Sequence, residues 1–513
     1  MGTVDERPVS QGGEGARARP LLAADRGGFV ERHHLWTEQQ YAAAAELRRV
    51  VDEVGIERIR VAFVDQHGVL RGKTLTRDAL AAALKDGIRV PTSLLLKDTS
   101  GRSVFDVFSA DAGLGVDGMT GAGDVALVPD PLTFRPLPWS PGTAMMLSDL
   151  RFPSGARVPF CTRSILRGVL EDLRARGYGL TVGVELEFHV YRADQELTAA
   201  NVCAPGQPGE APDIAPTTRG AQLLNEDALD ELDELVSALD TGLTRLDLPL
   251  RSIELEFGPS QLELTLGARD ALTAADEVVL CRAGIRQICR RAGYRATFMS
   301  RPAGAQSAST GWHLHQSLCD LVSGSSVFAP SGAEQDSGPG YGVLSTIGGS
   351  YLAGLLAHAS AAAAFTTPTV NGYKRYRPMS LAPDRIVWGI DNKGAMVRAI
   401  GGRGVPGTRL ENRTGEPAAN PYLYVASQLM SGLDGVDRHL DPGPPTEEPY
   451  GPGAQRLPRS LGEALDALDG DSLFRAALGE QVVNWYVTLK RAEFDRYLAH
   501  VSDWEQREYF TLL

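Results

Sequence analysis

"VGVELEFHV", residues 182–190, sets apolar side chains at alternate positions and places two glutamates between them. In an extended strand, residues i and i+2 share a face, so Glu185 and Glu187 project side by side. Two carboxylates on a strand this apolar repel each other and lose hydration unless a cation lies between them. For one pair alone, a solvated glutamate face is the plainer explanation.

Working outward, other strands repeat the pattern. "RSIELEFGPSQLELTL" (251–266) supplies Glu254 and Glu256, again at i and i+2, then Glu263 beyond a Gly-Pro turn. "GWHLHQS" (311–317) puts His313 and His315 on one face, and "TRLENRTGEP" (408–417) sets Glu411 between Arg409 and Arg413. Carboxylates with two imidazoles on inward strand faces suit Mg²⁺ or Mn²⁺. A structural zinc site would draw on Cys and His instead. Between 374 and 413 the chain adds Lys374, Arg375, Arg377, Lys393, Arg398, Arg403, Arg409 and Arg413. Beside a metal cluster, such forks clamp phosphates and carboxylates, which points to phosphoryl chemistry driven by electrostatic stabilisation.

At 513 residues the chain is long enough for two or three domains, and 43% hydrophobic with 22% charged residues is a globular composition. A net charge of −13 argues against nucleic acid or an anionic membrane as partner. No apolar run reaches the roughly 18 residues that span a bilayer. The N-terminus, "MGTVDERPVSQGGEGARARP", has no apolar signal core, so residues 1–35 are expected to be a disordered tail and the protein cytoplasmic. Cys161, Cys203, Cys281, Cys289 and Cys319 lack CxxC spacing and suggest neither disulfides nor zinc. "HGVLRGKT" (67–74) misses the P-loop pattern, because His67 stands where a glycine is needed. No GxSxG occurs.

Helical propensity covers "QQYAAAAELRRVVDEVG" (39–55), with Gly55 as its stop, and two strands flank a His-Gly turn in "RIRVAFVDQHGVLRGKTL" (58–75). Pro-rich "VPDPLTFRPLPWSPG" (128–142) leads to a boundary near residue 150, giving a small domain at 36–150 and a larger one at 151–513. Residues 192–222 read as a long surface loop, 225–240 as an acidic helix, 274–293 and roughly 350–364 as further helices, and the last hundred residues as mostly helical.

"GVELEF" (183–188), "EFGPSQLE" (256–263), "GWHLHQS", "NGYKRYRP" (371–378), "RLENR" (409–413) and "EPAANPYL" (416–423) together resemble, in order, the signature blocks of the glutamine synthetase family over residues 40–510. The resemblance implies an α+β fold: a small β-grasp-like N-terminal domain and a larger catalytic domain with a curved antiparallel half-barrel sheet flanked by helices. It implies Glu187, Glu256 and Glu263 for one metal ion, and Glu185, His313 and Glu411 for a second, with two or three Mg²⁺ or Mn²⁺ per site. His315 and Ser317 would line the ATP pocket, Arg398 and Arg409 would clamp phosphates, and Lys393 stands where the family has an arginine. Glu187, Arg375 and Arg413 would hold glutamate. Glu254 matches no family ligand and reads as structural. The implied reaction phosphorylates a γ-carboxylate with ATP, after which an amine attacks the acyl phosphate. The implied assembly is a homododecamer with sites between subunits.

Three departures bear on the substrate. The family's ammonium-binding Asp, in an Asp-Gly-Ser-Ser stretch, gives way to "RVPTSLLL" (89–96), with Val90 and Pro91 near that place. In "RPMSLAP" (377–383), Leu381 replaces a loop glutamate. Ammonium needs an anionic cage, whereas an organic amine needs room and apolar walls. The pattern is similar to the γ-glutamylamide ligase branch, with Val90, Pro91 and Leu381 as the expected amine pocket. Ala308-Ser309 replaces an Asn-Gly that holds glutamate, which keeps another carboxylic acid open. Ordinary glutamine synthesis, a guanidino kinase and a non-catalytic relative are the competing readings.

Overall fold

The computed structural model describes residues 27–193, 199–302, 308–330 and 340–513. Its first half is organised by a six-stranded sheet. β1 (Arg58–Val64) and β2 (Leu70–Thr76) form the hairpin read from the sequence, and β1 also pairs in parallel with β6 (Thr143–Arg151). β3 (Ile88–Pro91) and β4 (Asp124–Pro129) complete the order β2-β1-β6-β4-β3, with the two-residue β5 (Arg135–Pro136) against β6. The helix Glu38–Val54 starts where Thr37 and Gln40 close a capping box and stops at Gly55, whose φ of 70° only glycine adopts cheaply. The expected disordered tail is too long at its C-terminal end. Phe29 and Val30 lie in the helix Phe29–Arg32 and are 3% and 2% exposed, packed against Ala126 and Val128 of β4. Burying two apolar side chains is enough to tether this stretch. The rest of that expectation, residues 1–26, lies outside the described residues.

The second sheet positions the site. Its spine is β7 (Tyr178–Ala193), sixteen residues containing the opening motif. β8 (Ile214–Pro216), β9 (Leu250–Leu255), β10 (Gln261–Asp270), β11 (Tyr294–Thr297), β12 (Trp312–Asp320), β13 (Trp388–Ile390), β14 (Val397–Ile400) and β15 (Arg409–Asn412) join it in the order β13-β14-β15-β12-β7-β10-β9, with β8 and β11 also on β7. Every pairing is antiparallel except β13 with β14. The surface loop expected at 192–222 is thus interrupted by β8, which caps the far end of β7.

Val182, Val184, Leu186, Phe188 and Val190 are all at most 3% exposed and form the inner face of β7. Helices Thr162–Ala175 and Ala271–Arg291 pack there, and the largely buried helix Pro421–Asp437 packs against both. That arrangement leaves the other face of the sheet, with its glutamates, turned toward the cavities. The helix expected at 350–364 is broken in two, Thr346–Ala357 and Ala359–Thr366, at His358.

Candidate active site

Cross-strand partners in an antiparallel ladder share a face, so register alone assembles the site. Glu187 lies opposite Glu263, and Glu263 opposite Glu254 on its other side. Glu185 lies opposite His313, His315 opposite Glu411, and Glu411 opposite Arg398. Seven positions expected from sequence thus come together with Glu254, which was read as structural. Glu254 lines the same cavity as Glu256 and Glu263. Its Oε1 accepts a hydrogen bond from Ser252 at 2.6 Å.

Glu185, His313 and Glu411 place ligand atoms within 4.8 Å of one another. The partners set the tautomers. Arg409 Nε donates to His315 Nδ1 at 3.0 Å, so His315 Nε2 carries the hydrogen and donates to Glu185 at 2.8 Å. His313 Nδ1 donates to the other Glu185 oxygen at 3.1 Å, leaving its Nε2 lone pair 3.8 Å from Glu187. Burial, with Arg413 nearby, lowers His313 to about 4, so the imidazole is neutral. Burial works against the Glu185 charge, but the bonds from His313 and His315 outweigh it and hold this carboxyl well below its usual range. Glu411, wholly buried, is ion-paired by Arg398 at 3.0 Å and by Arg413.

The second group behaves oppositely. Burial and the Glu256 charge push Glu187 up to about 8. Burial and the charges of Glu187 and Glu185 push Glu263 up to about 9. Burial foremost raises Glu256 as well. Carboxylates crowded this closely carry more negative charge than the side chains around them neutralise, and a divalent cation relieves that excess. The donor set, oxygens with one imidazole nitrogen, fits Mg²⁺ or Mn²⁺.

Two cavities flank this row. One, of about 550 Å³, holds Glu187, Glu254, Glu256 and Glu263 with Arg375, Arg413, Lys393, Arg398 and Leu381. The other, of about 420 Å³, is lined by His315, Ser317, Thr408 and Arg409 among others. Glu185 and Thr265 line both. Arg398 and Arg409 therefore reach the shared wall from opposite sides. Arg375 is 2% exposed and donates through Nη1 to the Thr414 carbonyl at 2.8 Å. Arg375 and Arg413 both line the larger cavity, and their Nε atoms are buried with no partner among the described residues. Gly311 makes this convergence possible, since a Cβ there would stand 2.9 Å from Arg375 Nη2 and His313 Nε2.

Two other expectations fare differently. Val90 is 3% exposed in the core of the small sheet and Pro91 is exposed on β3; neither lines the cavity that holds Leu381. On a strand, every second residue faces inward, and Val90 has the inward phase. Gln261, unassigned from sequence, joins the site: its Nε2 donates to Glu187 at 2.8 Å and to the Ser309 carbonyl at 3.0 Å. Its position two residues before Glu263 was the available signal.

The catalytic-domain model of glutamine synthetase matches residues 159–509. The chain belongs to the glutamine synthetase family. It is thus a carbon–nitrogen ligase of that family, whose enzymes use ATP and divalent metal ions. A gamma-glutamylanilide synthase from Acinetobacter sp is 43% identical over 94% of this chain and 99% of its own length. A glutamine synthetase from Methanosarcina mazei is 31% identical over 91% and 98% respectively. Among solved structures, a GmaS/ADP complex superposes with a TM-score of 0.74 at 28% identity, over 91% of this chain and 99% of that one. The glutamine synthetase family model thus spans every residue of the two glutamate groups described above.

Proposed function

We propose that this family member joins glutamate to an organic amine, forming a γ-glutamylamide with release of ADP and phosphate. The observation that carries the proposal is the loop side of the larger cavity. There Met379, Ser380, Leu381 and Ala382 present no carboxylate to an ammonium ion. The 43% identical gamma-glutamylanilide synthase supports the same reading, and favours an aromatic amine.

In this mechanism ATP occupies the 420 Å³ cavity against His315 and Ser317, and glutamate the 550 Å³ cavity. Arg375 and Arg413, which line that cavity, hold the α-carboxylate through their guanidinium groups. Glu187, Glu256 and Glu263 would hold one Mg²⁺ or Mn²⁺, and Glu185, His313 and Glu411 another, which would supply neutralisation of phosphate charge. Lys393, Arg398 and Arg409 stabilise the charge that moves onto the transferring phosphoryl group. The γ-carboxylate oxygen attacks the γ-phosphorus, ADP leaves, and the nitrogen of the neutral amine then displaces phosphate from the acyl carbon, its surplus proton passing to the released phosphate. Gln261 fixes the Glu187 carboxylate throughout.

The finer architectural readings belong with this proposal. The small sheet is β-grasp-like, the large sheet is a half-barrel, and the division falls near residue 150, where β6 ends at Arg151. The chain assembles into a homododecamer in which one small domain caps the next subunit's cavity. Such a cap gives the exposed Pro91 a route to the amine end of a neighbouring site. No helix among the described residues is long and apolar enough to cross a membrane, and all five cysteines are free thiols, which supports a cytoplasmic setting.

The test is ADP release with glutamate and a panel of ammonium, aniline, isopropylamine and ethanolamine. One organic amine should exceed ammonium in kcat/KM by at least ~10-fold. Ammonium performing as well as every organic amine would return the assignment to glutamine synthesis. Replacing glutamate by other carboxylic acids settles what Ala308-Ser309 permits.

A further inference from the structure

Large apolar side chains left open to water normally scatter over a surface. Here five of them ring the mouth of the 550 Å³ cavity: Leu223, Leu224, Phe257, Met379 and Leu381, exposed by 40%, 60%, 47%, 84% and 54%. They come from three separate pieces of chain. Residues 221–224 run along the edge of β9, tied by Ala221 N–H to the Phe257 carbonyl at 2.6 Å and Leu224 N–H to the Leu255 carbonyl at 3.0 Å. Phe257 opens the turn into β10, and Met379 and Leu381 come from the loop that faces it.

The floor below this ring is the carboxylate cluster. Phe257 follows Glu256 directly, and its N–H donates to Glu256 Oε2 at 3.2 Å. A nucleophilic nitrogen that reaches an acyl phosphate held over Glu187, Glu256 and Glu263 therefore leaves its substituent among these five side chains. We propose that they form a collar for the aromatic ring of an arylamine substrate, with Phe257 and Leu224 as residues that set amine specificity. The proposal rests on the γ-glutamylamide reading and goes beyond it by naming the surface that selects the amine.

The chemistry favours an aryl over an alkyl substituent. An arylamine is neutral near pH 7, so entering an apolar collar costs it no ammonium desolvation. The Phe257 ring offers offset or edge-on stacking, and the Met379 thioether offers a sulfur–aromatic contact. Alkylamines are protonated near pH 7 and must shed hydration and a proton before they can attack.

The experiment measures kcat and KM for aniline, isopropylamine and hydroxylamine in wild type, Phe257→Ala, Phe257→Leu and Leu224→Ser, with light scattering on each. A single methylene in a hydrophobic pocket is worth roughly 10–200-fold in kcat/KM, so losing the Phe257 ring should lower kcat/KM for aniline by at least ~10-fold, chiefly through KM. Hydroxylamine, which has no ring, should lose no more than ~3-fold, and Phe257→Leu should recover part of the aniline activity. Equal losses with aniline and hydroxylamine would mean a structural role and overturn the proposal. So would dissociation of the oligomer in the variants, which would make the collar a contact between subunits. A wild type that prefers isopropylamine to aniline defeats the collar and leaves the amide reading standing. A wild type that prefers ammonium defeats the amide reading itself.

Discussion

Glu254 and Glu256 are the sharpest comparison at the scale of single residues. Both face the cavity, yet only Glu256 is proposed to hold an ion. Glu256→Ala should abolish glutamate-dependent ADP release and erase most of the rise in Tm that Mg²⁺ gives wild type by binding the folded state. Glu254→Ala should keep most of that rise. Because the Glu254 charge raises both Glu256 and Glu263, removing it should also make the metal-free protein more stable. Thermal denaturation with and without Mg²⁺ measures both effects, and equal behaviour of the two variants contradicts the division of roles. The i, i+2 rule makes Glu185 with Glu187 and His313 with His315 legible as same-face pairs, and the repetition of the pattern on several strands points to one site. The same rule puts Glu254 beside Glu256 and Gln261 beside Glu263, but Glu254 matches no family ligand and a neutral amide gives no charge signal, so the sequence assigns neither a site role. Resemblance puts Val90 near the family's ammonium-binding acid, whereas its inward phase on β3 turns it into the core of the small sheet.

Among the elements, the break at His358 shows where sequence stops being legible. The small-residue stretch near 350–364 has helical propensity throughout, and nothing local divides it. The division is stabilised from a distance: Asp471 bonds His358 Nδ1 at 2.8 Å, and Asp434 bonds Nε2 at 2.9 Å. Burial alone would lower this imidazole, but the two aspartate bonds outweigh it and raise it above its usual value. A group with a raised folded pKa contributes stability in full below its unfolded value of about 6.5, and loses that contribution as pH climbs through the folded value. His358→Leu should therefore be less stable than wild type by about 1–3 kcal/mol near pH 6, with the gap narrowing above neutrality. Urea denaturation across that range checks it; a gap that widens with pH contradicts the argument. The hairpin 250–270, in contrast, was legible because the Gly258-Pro259 turn and alternating apolar residues are both local signals.

At the scale of the molecule, one buried cation links the small sheet to the helices behind the large one. Arg163, 3% exposed, donates to Asp276 on helix Ala271–Arg291 at 2.8 and 2.9 Å, to Asp130 after β4 at 2.9 Å, and to Asp149 of β6 at 3.2 Å. Arg163→Met takes the shared cation from three buried carboxylates, leaving the partly exposed Arg167 ion-paired with Asp130 and Asp149, and neutral donors in Gln40 for Asp130, Ser164 for Asp149 and Tyr422 for Asp276. The expected loss is about 3–5 kcal/mol by equilibrium denaturation. A loss below about 1 kcal/mol would show that Arg167 takes over. None of these four residues stood out in the sequence, because their pairing spans 14 to 113 positions. Assembly is tested at the same scale. Leu498, Val501, Trp504, Phe510, Leu512 and Leu513 are 57–96% exposed at the C-terminal end, an apolar surface that a neighbouring subunit would cover. Light scattering should find an oligomer, and a fully active monomer at assay concentration would remove that part of the proposal.

The side chains of Glu185 and Thr265 line both cavities, so the two spaces meet there. A single synthetic molecule could therefore carry a nucleotide-like half and an amino-acid-like half across that junction through one short tether. Such a compound surrenders its freedom of tumbling once instead of twice, so its grip should exceed what either fragment achieves separately. The separation bridged by the best tether would then serve as a ruler for the path the phosphoryl group travels.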